Sequence, residues 1–171
     1  MPNSPTPSES TPKAGTRPSV LFVCVKNAGK SQMAAALMRQ AAEGMVTVHS
    51  AGTRPGNEVN SLSAQSLAEI GIDITSQTPK PIDPGLLSLV DMVITLGREA
   101  LVDPPTGVRV VNWDTDEPSE RGIDGIERMR MVRDDIAARV TALAAELTTP
   151  AAKAGSRLEA TARPTNATTE P

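Results

Sequence analysis

The chain is expected to fold as a single α/β domain, with a central four-stranded parallel sheet flanked by helices on both sides. Three features of the sequence lead there. Short apolar, valine-rich runs alternate with helix-forming segments. The connections between those runs are long enough to cross over, as parallel strands require. The 171 residues, 39% of them hydrophobic, suffice for one core and not for two.

The elements follow in order. "SVLFVCV" (Ser19 to Val25) is a continuous apolar run of the kind found in strands covered on both faces. "KSQMAAALMRQAAEG" is rich in good helix formers and closes at Gly44. "MVTVHSAG" reads as a second strand, and "NSLSAQSLAEIGI" as a second helix capped by Asn60 or Ser61. "DPGLLSLV" is a short helix with Pro84 near its start, followed by the strands "DMVITL" and "VRVVNW". From Ile126 onward, Met129, Val132, Ile136, Val140, Leu143 and Leu147 recur at steps of three and four, one face of a long amphipathic helix. Residues 1–17 and 149–171 are rich in Pro, Ser, Thr and Ala with little to bury, and are expected to be disordered tails around a domain at 18–148.

Composition excludes several function classes. With one Phe, one Trp and no Tyr, the chain lacks the aromatic platforms that nucleic-acid modules stack bases on. A net charge of -3, spread along the chain, points to neither a polyanion nor a membrane surface. A lone cysteine forms no internal disulfide, and the N-terminal stretch has no apolar run of signal or membrane type, so a reduced, cytoplasmic protein is expected. One Cys and one His are too few ligands for a metal site, and no bound cofactor is called for.

The chemistry concentrates in "CVKNAGKS", Cys24 to Ser31. This loop joins the carboxyl end of the first strand to the first helix, where open α/β sheets place ligands. A glycine-containing turn entering a helix N-terminus aims backbone N–H groups and the positive end of the helix dipole at one point. Val25, Lys26, Asn27, Ala28, Gly29, Lys30 and Ser31 therefore form a candidate cradle for a tetrahedral oxyanion. The same field favours the thiolate of Cys24 and makes it a nucleophile. Two other readings of the stretch exist. It ends like a Walker A loop, G-x-x-x-x-G-K-[ST], but Cys24 stands where that motif needs its first glycine; Asp114 is its one candidate magnesium ligand. Cys24 is otherwise a small buried hydrophobe.

"VLFVCVKNAGKSQMAAAL", "HSAGT", "EIGIDITSQTPKPID", "DMVITLG" and "WDTDEP" followed by "ERMRMVRDDI" occur in this order. Over Ser19 to Leu147 the chain resembles the low-molecular-weight protein tyrosine phosphatases and the arsenate reductases that share their fold, and most of all the actinobacterial arsenate-mycothiol transferases. The resemblance implies that Cys24 attacks arsenate held by the loop, and that the product passes to mycothiol as co-substrate and is resolved by a mycoredoxin. It implies a general acid on the "WDTDEP" loop: Glu117 stands immediately before Pro118, with Asp116 one residue earlier. An exposed acidic turn is the structural alternative for both. Asn27 and Ser31 match loop-stabilising positions, with Ser31 donating to the sulfur. His49, placed at a strand end, is read as structural rather than as a partner of Cys24.

Two departures from the family pattern refine the expectation. Lys30 occupies the place of the signature arginine, exchanging a planar fork for a point charge, which weakens the phosphotyrosine reading. Thioredoxin-coupled reductases carry further cysteines where Gly29 and Gly97 stand here, so the reducing thiol must come from outside the chain. A phosphomonoesterase, or a non-enzymatic oxyanion sensor using the loop only to bind, are the competing functions.

Overall fold

The computed structural model describes residues 17–149. Four strands, β1 (Ser19–Cys24), β2 (Thr47–Gly52), β3 (Met92–Leu96) and β4 (Arg109–Trp113), form one sheet in the order β2-β1-β3-β4. All three pairings are parallel, with Cys24 opposite Gly52 and Leu96 opposite Trp113. From β1 the chain builds β2 on one side and then crosses back to build β3 on the other, so the order reverses at β1. That reversal opens a crevice beyond its carboxyl end, where Cys24 lies. Of the tails expected at 1–17 and 149–171, residues 1–16 and 150–171 lie outside the described residues.

The two-residue period of β1 sorts its side chains between two apolar layers. Val20, Phe22 and Cys24 face the larger layer, built with Met33 and Met38 of α1 (Lys30–Ala42), Leu67 of α2 (Ser61–Ala68), and Val132, Ile136 and Val140 of α4 (Gly125–Thr148). Leu21 and Val23 face a smaller layer, closed by Leu86 and Leu87 of the short helix α3 (Pro84–Leu89) and by Val102 and Val108. Helices thus flank both faces, as expected, but unequally. Phe22 and Trp113, the chain's two aromatic residues, meet in the larger layer with ring centroids 5.7 Å apart, tilted at 51°.

Local chemistry sets the helix ends. Asn60 caps α2, its Oδ1 accepting from the Ser63 N–H at 2.9 Å, and its own N–H donates to Ala28 O at 2.8 Å. This ties the cap to the Cys24 loop. Asn60→Ala is expected to cost about 1 kcal/mol, measured as a lower midpoint in thermal unfolding. Helix α2 is shorter than its apolar pattern predicts: it stops at Ala68, and the chain turns through Gly71 at φ +82°, with Ile70 and Ile72 donating back to Leu67 O. Helix α1 likewise ends one residue before the expected stop, Glu43 already being left-handed at φ 47° ahead of Gly44. A 3₁₀ turn, Pro118–Arg121, which the sequence pattern did not announce, carries the chain from β4 toward α4.

Candidate active site

The loop from Cys24 to Ser31 is shaped by a strap that follows β2. Thr53, Arg54, Gly56 and Asn60 donate their N–H groups to the carbonyls of Cys24 (3.1 Å), Val25 (2.8 Å), Lys26 (2.9 Å) and Ala28 (2.8 Å). In a trans peptide the carbonyl and the following N–H point in opposite directions. Binding four carbonyls outward therefore turns the N–H groups of Val25, Lys26, Asn27 and Gly29 inward. The first turn of α1 has no side-chain cap, so its amides are directed into the same space. Close approach of strap and loop depends on Gly52: a Cβ there would lie 2.8 Å from Val25 O and 3.0 Å from Asn27 Cβ.

Asn27 organises the interior of the loop. It is fully buried and left-handed at φ 50°, a conformation asparagine tolerates. Its Oδ1 accepts from the backbone N–H of Lys80 and from Gln32 Nε2, both at 3.1 Å. A backbone N–H can only donate, so it fixes which end of the amide is which, and Nδ2 is left to donate to Ser31 Oγ at 2.7 Å. The same Ser31 hydroxyl is hydrogen-bonded to Cys24 Sγ, 2.9 Å away. The Asn27 N–H reaches the same sulfur at 3.2 Å. The sulfur is thus held by two hydrogen bonds from the loop itself. Ser31→Ala removes one of them and is expected to slow alkylation of Cys24 about tenfold, the scale of one hydrogen bond to the attacking sulfur. Pseudo-first-order kinetics with iodoacetamide provide the check.

Cys24 opens onto a cavity of about 540 Å³ that Lys30, Arg98, Glu117 and Arg128 also line. Lys30 leaves the first turn of α1, passes the left-handed Gly97 at the end of β3, and pairs with Glu117 Oε1. Of the two carboxylates on the "WDTDEP" loop, Glu117 alone lines this cavity. Asp116 is held by Arg121 in a two-pronged contact at 2.8 and 3.0 Å, which keeps its carboxyl below the usual carboxylate range. Of the two carboxylates expected as candidate acids, the structure thus brings Glu117 to the cavity beside Cys24 and holds Asp116 on Arg121.

His49 is the third residue of β2, not its end. It pairs with Leu21, three positions from Cys24 along β1, roughly 10 Å at the rise of a strand, so no Cys–His dyad forms. Burial, then the charges of Arg39 and Lys80, hold its imidazole below its ordinary range. Asp114, the one acid open to a Walker A reading, accepts from Arg98 Nε at 3.1 Å.

The strap and Arg128 were not legible as site residues. The strap acts through backbone amides alone, and Arg128 stands outside the apolar face by which the last helix was recognised.

The chain that builds this site matches a known family. The sequence model of low molecular weight phosphotyrosine protein phosphatases aligns with residues 19–153. The chain belongs to that family. An arsenate reductase of Brevibacillus brevis is 36% identical over 124 residues, 71% of this chain and 90% of that protein. The thioredoxin-dependent arsenate reductase Cg_ArsC1' of Corynebacterium glutamicum superposes with a TM-score of 0.64 at 33% identity, covering 76% of this chain. The match spans 61% of that longer chain. YwlE of Bacillus subtilis shares the family fold, with a TM-score of 0.66 at 21% identity and coverage of 77% and 99% of the two chains. Among the described residues no helix is long and apolar enough to cross a membrane.

Proposed function

We propose that this protein is a cytoplasmic arsenate reductase that uses one protein thiol and borrows the second from a small molecule, mycothiol. The observation that carries the reading is that the chain's only cysteine is the sulfur held at the mouth of the loop by Ser31 Oγ and the Asn27 N–H. In this scheme arsenate sits among the inward amides and Lys30, and the Cys24 thiolate attacks arsenic. Glu117 gives a proton to the departing oxygen, which leaves as water. The mycothiol sulfur then displaces Cys24 from arsenic, regenerating the thiolate and releasing an arseno-mycothiol adduct. A mycoredoxin thiol attacks the mycothiol sulfur of that adduct; the S–As bonding pair stays on arsenic, giving arsenite and a mixed disulfide.

Family membership and the arsenate-reductase relatives support the substrate, and the count of one cysteine supports an external thiol. Purified protein assayed with arsenate, mycothiol, mycoredoxin and its reducing chain, each omitted in turn, tests the reading. Arsenite formation that requires all of them is the expected result. Equal turnover with thioredoxin or glutathione in place of mycothiol would assign a different thiol. Vigorous hydrolysis of p-nitrophenyl phosphate with no arsenite formation would replace the reductase by a phosphatase.

A further inference from the structure

We infer that Arg128 is an oxyanion-binding residue of this site, supplying from the first turns of α4 the planar guanidinium that the Cys24 loop does not contain. The inference rests on the proposed function only for the identity of the anion. A tetrahedral oxyanion bound through the Cys24 sulfur has three further oxygens to satisfy. Within the loop the one cationic side chain turned toward Glu117 and the cavity is Lys30, a point charge already paired with Glu117 Oε1.

The cavity has three other cations, and their surroundings differ. Lys26 is exposed. Arg98 is 68% exposed and committed to Asp114 at 3.1 Å, with Glu120 at 3.9 Å. Arg128 is half-buried, its Nε is buried with no hydrogen-bond partner among the described residues, and its Nη2 stands 3.9 Å from Glu117 Oε2, outside hydrogen-bond range. A buried guanidinium N–H left unpaired is costly, so the side chain gains by turning toward an acceptor that enters the cavity. The Glu117 carboxylate thus lies between Lys30 on one oxygen and Arg128 near the other. An oxyanion entering beside it meets a cation on each side, one of them able to grip two oxygens at once.

Anion binding is read without turnover as protection of Cys24 from iodoacetamide, titrated separately with inorganic phosphate and with arsenate, each variant referred to its own rate without anion. Arg128→Gln is expected to raise the half-protecting concentration of both anions at least tenfold, and Arg128→Lys to recover part of the loss. Arg130→Gln removes a charge from the same helix where it pairs with Glu69 at 2.7 Å, and is expected to leave protection unchanged. Circular dichroism melts establish that each variant is folded. Protection of Arg128→Gln at wild-type concentrations overturns the inference, including the case in which its turnover falls, because Arg128 then acts only through Glu117. Failure of the reductase reading shows itself differently, as intact protection by both anions with no arsenite formed.

Discussion

Cys24→Ser is expected to lower arsenite formation by at least about 10⁴-fold, the scale of losing a covalent nucleophile. The replacement keeps the size of the group and its hydrogen bonds to Ser31 and the Asn27 N–H, so the loop remains formed. A serine hydroxyl is a far weaker nucleophile than a thiol near neutrality, and His49, three strand positions away, is too far to act as its base. Steady-state arsenite production with the full reducing chain measures the loss, and a phosphate titration followed by calorimetry confirms that the anion still binds. Turnover within tenfold of the natural protein would remove Cys24 from the mechanism.

The second large effect comes from a residue with no side chain. Gly52→Ala places a methyl group 2.8 Å from Val25 O and 3.0 Å from Asn27 N, both backbone atoms. Neither can rotate aside, so strap and loop must separate, at a cost of about 1–3 kcal/mol. The moved peptide is the one whose carbonyl is bound by Arg54 and whose N–H, that of Lys26, faces the anion space. Misplacing such donors by a fraction of an ångström is expected to reduce turnover roughly 100-fold. Thermal unfolding and turnover of the purified variant read the two effects. A variant indistinguishable from the natural protein in both would show that the carbonyl-out arrangement of the loop is not what positions its amides.

The elements that were legible in the sequence are those whose signal is local. A continuous valine-rich run gave β1, Ala, Leu and Met gave α1, and six apolar residues at steps of three and four gave α4, which starts at Gly125, one residue before Ile126. The same signal misled at α2. Ile72 lies at helical spacing, yet Gly71 turns the chain at φ +82° and Ile72 packs against the core from outside the helix. The turn at Pro118–Arg121 escaped because Pro-Ser-Glu-Arg is equally at home in an irregular loop.

The candidate site divides along the same line. Cys24, Asn27, Lys30 and Ser31 lie within eight consecutive residues between a strand and a helix, so their convergence is a matter of local geometry. The choice between Asp116 and Glu117 was not local. Arg121, five residues on, takes Asp116, but Glu117 reaches the cavity through Lys30, 87 residues away. Arg128 became visible only once α4 had packed beside the loop.

By itself, then, the sequence determined a parallel α/β sheet with a thiol at the end of its first strand, because strand and helix periodicity and the strand-to-helix turn are properties of contiguous residues. The tertiary structure alone decided which carboxylate faces that thiol, which way the loop amides point, and which arginine reaches the cavity. Each of these depends on contacts between segments distant in the chain, the strap on the loop and Lys30 on Glu117 87 residues away among them, and such pairings leave no periodic trace along the chain.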